Sequence, residues 1–225
     1  KSFREMGIKG QIGFVNVLQP NDPISQEPED LRAWEIAEGI YTHWLYDPVL
    51  KGEYPHDMLE MAQAAFGVPE FHPGDAELLK ENIVDFIGLN YYKREMVARN
   101  DDVQGFDLNT SGQKGSGGGM GFKGLFKIVK NPNGVYTDWD WEIYPEGLTD
   151  AIGRIRHRYG EVPIYITENG LGAKDPIVDG AVLDQPRIDY LSEHIRAVGR
   201  AIEQGADVRG IYPWSFIDLL SWLNG

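Results

Sequence analysis

The chain has 225 residues, of which 42% are hydrophobic and 12% aromatic, so it can bury a core and is not disordered by composition. Its formal charge of −14 excludes an extended nucleic-acid surface, which needs clustered basic side chains. Cysteine is absent, which excludes disulfides and thiol chemistry, and no apolar run approaches the roughly 20 residues that cross a bilayer. We expect neither nucleic acid nor a membrane as a partner. Residues 1–6 contain no signal-peptide core and no initiator Met, so we expect the interior of a longer chain.

The first third of the chain predicts strand, helices and strand in turn. Residues 10–18 are rich in β-branched and apolar types without clean alternation, which predicts a strand covered on both faces. From Pro28 to about Tyr46, apolar residues recur at helical spacing behind an acidic first turn. A short helix is predicted from Pro55 to Phe66, and another begins near Pro73. Val84 to Tyr92 then indicates a second buried strand.

The stretch from residue 93 to residue 141 has no convincing period. Loops of this length are usually functional, so we assign residues 93–141 to a long rim loop of an active site. The glycine-rich residues 111–119 indicate a flexible surface loop; a phosphate cradle is the alternative, although no GxxxxGK[ST] pattern follows a strand here. Trp139 and Trp141 either line a sugar site or fill a core.

The second half repeats the alternation of helix and strand. Pro145 to Tyr159 predicts an amphipathic helix, and we assign its arginines to a solvated face near the helix C-terminus: Arg154, Arg156 and Arg158. A buried strand from Pro163 ends on the carboxylate of Glu168. The next helix begins at Pro186 and ends at Gly205, with a predicted packed face of Ile188, Leu191, Ile195, Val198 and Ile202.

Val208 to Ser215 is predicted as a fourth buried strand. Repeated strand–helix alternation indicates a parallel α/β sheet, and polar or aromatic residues at the carboxyl ends of strands are typical of a (β/α)₈ barrel site. Because only four such units are present, we predict that residues 1–225 form a single domain with half a barrel.

Four motifs carry a resemblance to a known family: Ile166-Thr167-Glu168-Asn169-Gly170, Asp85-Phe86-Ile87-Gly88-Leu89-Asn90-Tyr91-Tyr92, Tyr144-Pro145-Glu146-Gly147-Leu148 and Trp214-Ser215-Phe216-Ile217-Asp218. Together they resemble the retaining β-glycosidases of glycoside hydrolase family 1. The resemblance covers essentially the whole chain. It implies a TIM (β/α)₈ barrel, of which this chain supplies roughly strands 5 to 8.

This resemblance also implies roles for individual residues. Glu168 corresponds to the catalytic nucleophile, which forms a covalent glycosyl-enzyme that water then hydrolyses. The alternative is a buried structural acid paired with an arginine. Tyr92 corresponds to the tyrosine that hydrogen-bonds the nucleophile, and Asn90 to a polar contact near the site. Trp214 corresponds to an indole that forms the sugar platform.

Ser221 and Trp222 bear on the substrate. Most of the family has Glu-Trp where this chain has Ser221-Trp222, and a hydroxyl in place of the acid can donate to a phosphate oxygen. The ending therefore resembles the 6-phospho-β-glycosidase branch, unless Ser221 merely fills space at a helix start. Trp222 is associated with 6-phosphogalactosides, but similar endings resemble enzymes accepting both sugars, so the choice between galactoside and glucoside stays open.

Two parts of the family's site are not found in the sequence. The acid/base Glu belongs to an Asn-Glu-Pro-like motif, and Asn131-Pro132 lacks the Glu. The phosphate-binding Lys and Tyr of the branch would lie beyond Gly225. Since retaining hydrolysis needs two carboxyl groups about 5 Å apart, we expect the isolated segment to be inactive.

The resulting expectation is hydrolysis of 6-phosphorylated β-galactosides or β-glucosides in the bacterial cytoplasm, without a metal or an organic cofactor. The five histidines show no ligand spacing for zinc. The alternatives are a β-glucosidase or β-galactosidase for unphosphorylated sugars, and a non-catalytic half-barrel that binds sugar. Open sheet edges would let such a half-barrel form a homo-oligomer.

Overall fold

The computed structural model describes residues 1–18, 21–67, 70–101 and 121–217. The strands in chain order are β1 Gly13–Val17, β2 Asn21–Pro23, β3 Phe86–Asn90, β4 Glu95–Ala98, β5 Lys127–Val129, β6 Ile164–Asn169, β7 Ile177–Val178, β8 Ala181–Val182 and β9 Val208–Pro213. The helices are α1 Ser2–Glu5, α2 Pro28–Glu38, α3 Trp44–Leu50, α4 His56–Phe66, α5 Asp75–Lys80, α6 Glu146–Tyr159 and α7 Gln185–Glu203. A π-helical turn, Gly39–His43, joins α2 to α3.

The main sheet contains the four strands that the sequence predicts. Its order is β1-β3-β6-β9, and every neighbouring pair is parallel. Helical segments connect these strands, as parallel neighbours in a βαβ unit require. The carboxyl ends of all four strands therefore lie along one edge of the sheet. The prediction of a parallel α/β architecture is confirmed.

One face of the main sheet carries the larger of two hydrophobic cores. Ile87 and Leu89 of β3 and Ile164 and Ile166 of β6 are at most 1% exposed on this face. Their cover comes from α3, α6 and α7 through Tyr46, Leu148, Ile152, Ala197 and Val198. Burying such an aliphatic side chain contributes about 1.5–3 kcal/mol. The two middle strands are thus the best-anchored part of the sheet.

A second core lies beneath α2. Ala33 and Ala37 of α2 pack against Val97 of β4 and against Phe126, and all four are almost fully buried. The strand β4 belongs to a small sheet of order β2-β4-β5. Two short strands therefore lie within the described parts of residues 93–141, for which the sequence predicts no regular structure. A strand of three or four residues is too short for its alternation of apolar and polar residues to be recognised in the sequence.

The strand β1 differs from its prediction. Phe14 packs edge to face against Tyr46, with ring centroids 5.8 Å apart, so the face toward the helices is covered. On the opposite face Val15 is 49% and Val17 is 48% exposed. The prediction of a strand covered on both faces is wrong for the described chain, because β1 lies at the edge of the sheet and nothing packs on that face.

The helix α7 packs with a different face from the predicted one. Ile188, Ile195 and Ile202 are each about half exposed, with relative exposures of 52%, 51% and 48%. The buried side chains are Tyr190, His194, Ala197, Val198 and Ala201. Small alanines allow α7 to approach α6 and the sheet closely. The Tyr190 hydroxyl donates to the carbonyl oxygen of Tyr92 beyond β3, and Nδ1 of His194 bonds the carbonyl oxygen of Tyr190 within α7 itself. Only Val198 of the predicted face is buried.

The arginines of α6 are not on a solvated face. Arg154 donates to Asp22 at 2.5 Å and to the carbonyl oxygen of Asn21 at 2.8 Å. Arg158 binds the carboxylate of Asp47 through two hydrogen bonds of 2.8 and 2.6 Å. The expectation is wrong because both acids come from segments more than 100 residues earlier, and a helical pattern carries no information about them.

None of the helices in the described ranges is long and apolar enough to span a bilayer.

Candidate active site

The candidate site lies where β3, β6 and β9 end. Glu168 and Asn169 are the last residues of β6, Tyr92 lies two residues beyond β3, and Trp214 directly follows β9. Parallel strands place their carboxyl ends together, so these four side chains come from one edge of the sheet. The first and the last of these four residues, Tyr92 and Trp214, lie more than 120 positions apart in the sequence.

Tyr92 and Glu168 form the central contact of the site. The Tyr92 hydroxyl donates a short hydrogen bond to Oε2 of Glu168. Burial, together with this bond and the charge of Glu168, raises the pKa of Tyr92 well above its ordinary value. The hydroxyl therefore stays protonated near neutral pH and acts as a donor. Such a donor fixes one carboxylate oxygen and leaves the other oxygen for another partner.

The arginines of this region have acidic partners other than Glu168. Arg94 binds Glu142 through hydrogen bonds of 2.8 and 2.7 Å and Asp22 at 3.2 Å. Its guanidinium lies 3.6 Å from the ring centroid of Tyr144. The contact that the structure records for the side chain of Glu168 is with a neutral donor, which differs from a structural acid in an ion pair with arginine.

Asn90 is buried at the end of β3. Its amide oxygen accepts a hydrogen bond of 2.6 Å from the hydroxyl of Thr167. The register between β3 and β6 shifts here: Leu89 pairs with Ile166, whereas Asn90 pairs with Glu168. One extra residue on β6 therefore changes the direction of the Glu168 side chain from the one that regular alternation of side chains along the strand would give. Bulges beside functional sites commonly have this effect.

Trp214 joins the site through its backbone. Its N–H donates to the carbonyl oxygen of Asn169 at 2.8 Å, while its side chain leaves the residue 54% exposed. A Cβ atom at Gly170 would lie 2.1 Å from the carbonyl oxygen of Trp214, closer than any contact allows. The glycine of the Ile-Thr-Glu-Asn-Gly motif is thus required by the close approach of β9.

Trp141 lies beside the site. The sequence alone did not decide whether it lines a sugar site or fills a core. Its ring centroid is 5.5 Å from that of Tyr92, and a Cβ at Gly172 would approach the Trp141 ring to 3.2 Å. Trp141 is partly exposed, so it borders the site without being a plug of the core. Glu142, the next residue, is 3% exposed and is held by Arg94, which anchors this segment.

Sequence reasoning missed Tyr190 as a residue of this site. Its hydroxyl donates to the carbonyl oxygen of Tyr92 at 2.9 Å and accepts from the amide of Asn169 at 3.3 Å. The signal available was Tyr190 and His194 at a spacing of four, since two amphipathic side chains on one stripe of a helix indicate buried polar partners.

Ser221 and Trp222 lie outside the described residues, as does the glycine-rich run 111–119. In the described ranges no group of three His, Asp or Glu residues is placed to hold a metal ion.

The sequence profile described as "Glycosyl hydrolase family 1" matches residues 1–225. The chain belongs to glycosyl hydrolase family 1. The resemblance read from the four motifs is thereby confirmed.

Relatives within family 1 are similar over the whole chain. The aryl-phospho-β-D-glucosidase BglC of Bacillus subtilis (strain 168) is 42% identical over 227 residues, which cover 100% of this chain and 47% of the relative. A 6-phospho-β-galactosidase of Clostridium acetobutylicum is 37% identical over 230 residues, covering 99% of this chain and 48% of that protein. The chain therefore spans about half the length of the curated relatives it matches.

A solved family 1 fold is also similar. The crystal structure of a β-glucosidase from Exiguobacterium marinum matches with a TM-score of 0.82 and 32% identity, covering 99% of this chain and 46% of that one. The α/β fold class of the TIM-barrel glycosidases is thereby confirmed for this member of family 1. The similarity again extends over slightly less than half of the compared protein.

Proposed function

We propose that this chain supplies the nucleophile and part of the sugar pocket of a retaining hydrolase for 6-phosphorylated β-galactosides or β-glucosides. The observation that carries the proposal is the hydrogen bond from Tyr92 to Glu168 at the carboxyl end of β6. Family membership and the phosphoglycosidase names of its relatives support the same reading.

In the proposed reaction Glu168 attacks the anomeric carbon as the bond to the leaving-group oxygen breaks. The departing oxygen takes its proton from a second carboxyl group, and a covalent glycosyl-enzyme is left. Water, deprotonated by the same second group, then releases the sugar and frees Glu168. Tyr92 holds the carboxylate of Glu168 in its attacking position, and Trp214 offers an apolar ring face to the sugar.

We further propose that the chain corresponds to strands 5 to 8 of the barrel and that the acid/base Glu lies in another segment. Three observations support an incomplete barrel that another segment completes: the sheet order follows the chain order, β1 has an uncovered face, and the relatives are about twice as long. The placement at strands 5 to 8 rests on the resemblance of the motifs alone. The isolated segment would then lack the proton donor and would be inactive. In this assignment residues 1–225 belong to one domain, and residues 93–141 form its rim loop.

The phosphate specificity is proposed from Ser221, with Trp222 beside it as a sugar contact and Asn90 as a polar contact near the reacting ring. A serine hydroxyl donates to a phosphate oxygen, whereas a glutamate at the same place would repel the phosphate. The natural substrate would be a phosphorylated disaccharide. Because sugar 6-phosphates arise during uptake, we propose that the reaction takes place in the bacterial cytoplasm. No metal or organic cofactor is needed for two carboxyl groups to perform it.

The experiment compares nitrophenyl β-galactoside 6-phosphate and β-glucoside 6-phosphate with their unphosphorylated forms, using the full-length protein. We expect kcat/KM to favour at least one phosphorylated substrate by about 10- to 100-fold, since a hydrogen bond from Ser221 to a charged phosphate oxygen contributes about 1.5–3 kcal/mol. Ser221→Glu should remove this preference, and the control Ser221→Thr, which keeps the hydroxyl, should retain it. Equal hydrolysis of the phosphorylated and unphosphorylated forms of both the galactoside and the glucoside by the unmodified protein would overturn the proposed substrate.

A second candidate is a non-catalytic half-barrel that self-associates. The uncovered face of β1 and the exposed Tyr212 and Trp214 at β9 favour this candidate, because open sheet edges promote association. Native mass spectrometry of the 225-residue chain tests it. A dimer or larger assembly would support self-association, and a clean monomer would contradict it.

A further inference from the structure

The candidate nucleophile is held by a second set of contacts on the helix side of the sheet. Beyond the hydrogen bond from the N–H of Tyr91 to the carbonyl oxygen of Glu168 at 2.9 Å, the ladder between β3 and β6 ends. From this point the strand ends need other partners to keep their spacing. Two buried side chains, Asn169 and Tyr190, provide them, and we call this pair the Asn169–Tyr190 link.

Asn169 connects three strand ends. Its side-chain amide nitrogen donates to the carbonyl oxygen of Tyr91 at 2.9 Å. Its main-chain carbonyl oxygen accepts from the N–H of Trp214 at 2.8 Å. The side chain is fully buried. The amide must face Tyr91 with its nitrogen, because a carbonyl oxygen there would meet another acceptor. β3, β6 and β9 are therefore tied together at one residue.

Tyr190 completes the link from α7. It is 4% exposed, and its hydroxyl accepts from the Asn169 amide at 3.3 Å while donating to the carbonyl oxygen of Tyr92 at 2.9 Å. The ring is fixed independently of the hydroxyl, since it stacks on His194 with centroids 3.8 Å apart and planes at 26°. His194 itself is anchored through Nδ1 to the carbonyl oxygen of Tyr190 at 2.7 Å.

The link bonds the carbonyl oxygens of Tyr91 and Tyr92, and it is joined to Glu168 through the chain because Asn169 is the next residue. We propose that Tyr190 is a positioning residue, whose hydroxyl sets the place of Tyr92 relative to Glu168. This inference rests on the proposed function, because positioning has a measurable meaning only if Glu168 attacks a sugar. Neither Tyr190 nor Asn169 touches the reacting atoms in this assignment.

The test measures how fast Glu168 of the full-length protein is labelled by a 2-fluoro β-glycoside 6-phosphate, which traps the covalent intermediate. Tyr190→Phe keeps the ring stacked on His194 and removes only the hydroxyl. Because a small misplacement of reacting groups is costly, we expect the labelling rate constant to fall about 10- to 100-fold. The reagent concentration that gives half-maximal labelling should change less than about threefold, since Tyr190 makes no contact with the bound sugar in this assignment.

Tyr159→Phe is the matched control. The hydroxyl of Tyr159, the last residue of α6, donates to Asp47 of α3 at 2.6 Å. This variant therefore also loses one partly buried hydrogen bond, but none to a strand end of the site. It should be labelled at the unmodified rate. Asn169→Ala removes the link from the strand side and should reproduce the defect of Tyr190→Phe.

The outcomes separate this inference from the proposed function. If the unmodified protein is not labelled at Glu168, the proposed function fails. If the unmodified protein is labelled and Tyr190→Phe is labelled equally fast, the positioning role is wrong. Equal losses in Tyr190→Phe and Tyr159→Phe, with equal falls in melting temperature, would show general destabilisation and would also overturn it.

Discussion

The neighbouring strands β6 and β9 present a contrast. On β6, Ile164 and Ile166 are fully buried, and the terminal Glu168 and Asn169 are fixed by hydrogen bonds from or to Tyr92, Tyr91 and Tyr190. On β9, the chain leaves Tyr212 and Trp214 each 54% exposed, and Phe216 beyond it is fully exposed. The end of β6, with the proposed nucleophile, is thus held by hydrogen bonds within this chain, whereas the end of β9, with the proposed sugar platform, is exposed.

The same contrast separates α6 from α7. On α6, Leu148, Ile152 and Ile155 are buried in the core, and Arg154 and Arg158, which share another face, are paired with acids from earlier segments. The outer flank of α7 carries Ile188, Ile195 and Ile202 at intervals of seven residues, all about half exposed. Contact on only one side leaves α7 and β9 with exposed apolar surface, which in the proposed assignment another barrel segment covers. The comparison predicts that substitutions at the end of β6 lower kcat. Substitutions on the outer flank of α7 should instead change the stability of the longer protein.

The largest expected effect is at the end of β6. Glu168→Gln in the full-length protein keeps the size of the side chain but removes the attacking carboxylate. We expect kcat to fall by about 10⁴-fold or more, as when other nucleophiles are removed. Hydrolysis of the nitrophenyl 6-phosphates measures it, with Glu161→Gln, an exposed acid just before β6, as the control. Activity that survives Glu168→Gln would exclude Glu168 from the proposed role.

A second test concerns the helix packed behind β6. His194 is fully buried, and burial lowers its pKa from 6.5 to about 4. The unfolded chain therefore binds a proton that the folded chain excludes between these values, so stability is complete above about pH 6.5 and falls as the pH drops toward 4. Between pH 7 and pH 5 we expect a loss of about 2 kcal/mol from this group.

Urea unfolding of the full-length protein at the two pH values measures this loss. His194→Asn should reduce the pH dependence by the stated amount, because Asn does not titrate. His157→Asn replaces an exposed histidine on α6 and serves as the control. An unchanged pH dependence in His194→Asn would mean that the buried imidazole does not govern it.

A smaller effect is expected at β9. Trp214→Ala removes the proposed sugar platform but none of the groups that react. We expect kcat/KM to fall about tenfold, mainly through KM, since an aromatic contact contributes about 0.5–1.5 kcal/mol. Trp214→Phe, which keeps a ring, should recover most of the loss in steady-state assays. A fall in kcat as large as that of Glu168→Gln would erase the distinction between β6 and β9.

The smallest effect separates the chain from the longer protein. Ile195→Ser on the outer flank of α7 should change the free energy of unfolding of the 225-residue chain by less than about 0.5 kcal/mol, as at other surface positions. In the full-length protein we expect a loss of about 2 kcal/mol, because a covered isoleucine loses its packing. Equal effects in both proteins would contradict the proposal that another segment of the longer protein covers this flank.

Local pattern was sufficient for much of the fold. The alternation of strand and helix predicted all four strands of the main sheet and their parallel order, because apolar runs and helical periods are properties of adjacent residues. The Ile-Thr-Glu-Asn-Gly motif is sufficient to propose Glu168 as the nucleophile, since its carboxylate ends an apolar strand. Family membership was likewise carried by short motifs that each lie within about ten residues.

Contacts between distant segments were decided only by the tertiary structure. Helical periodicity showed that α7 is amphipathic, but the face that meets the sheet carries Tyr190, His194 and alanines, and three of the isoleucines face outward. Close packing here selects small alanines and the hydrogen-bonded Tyr190 over the larger isoleucines. The pairing of Arg154 with Asp22 and of Tyr190 with the end of β3 joins residues about 100 or more positions apart. Such partners are fixed by how the layers meet, and no local spacing encodes them.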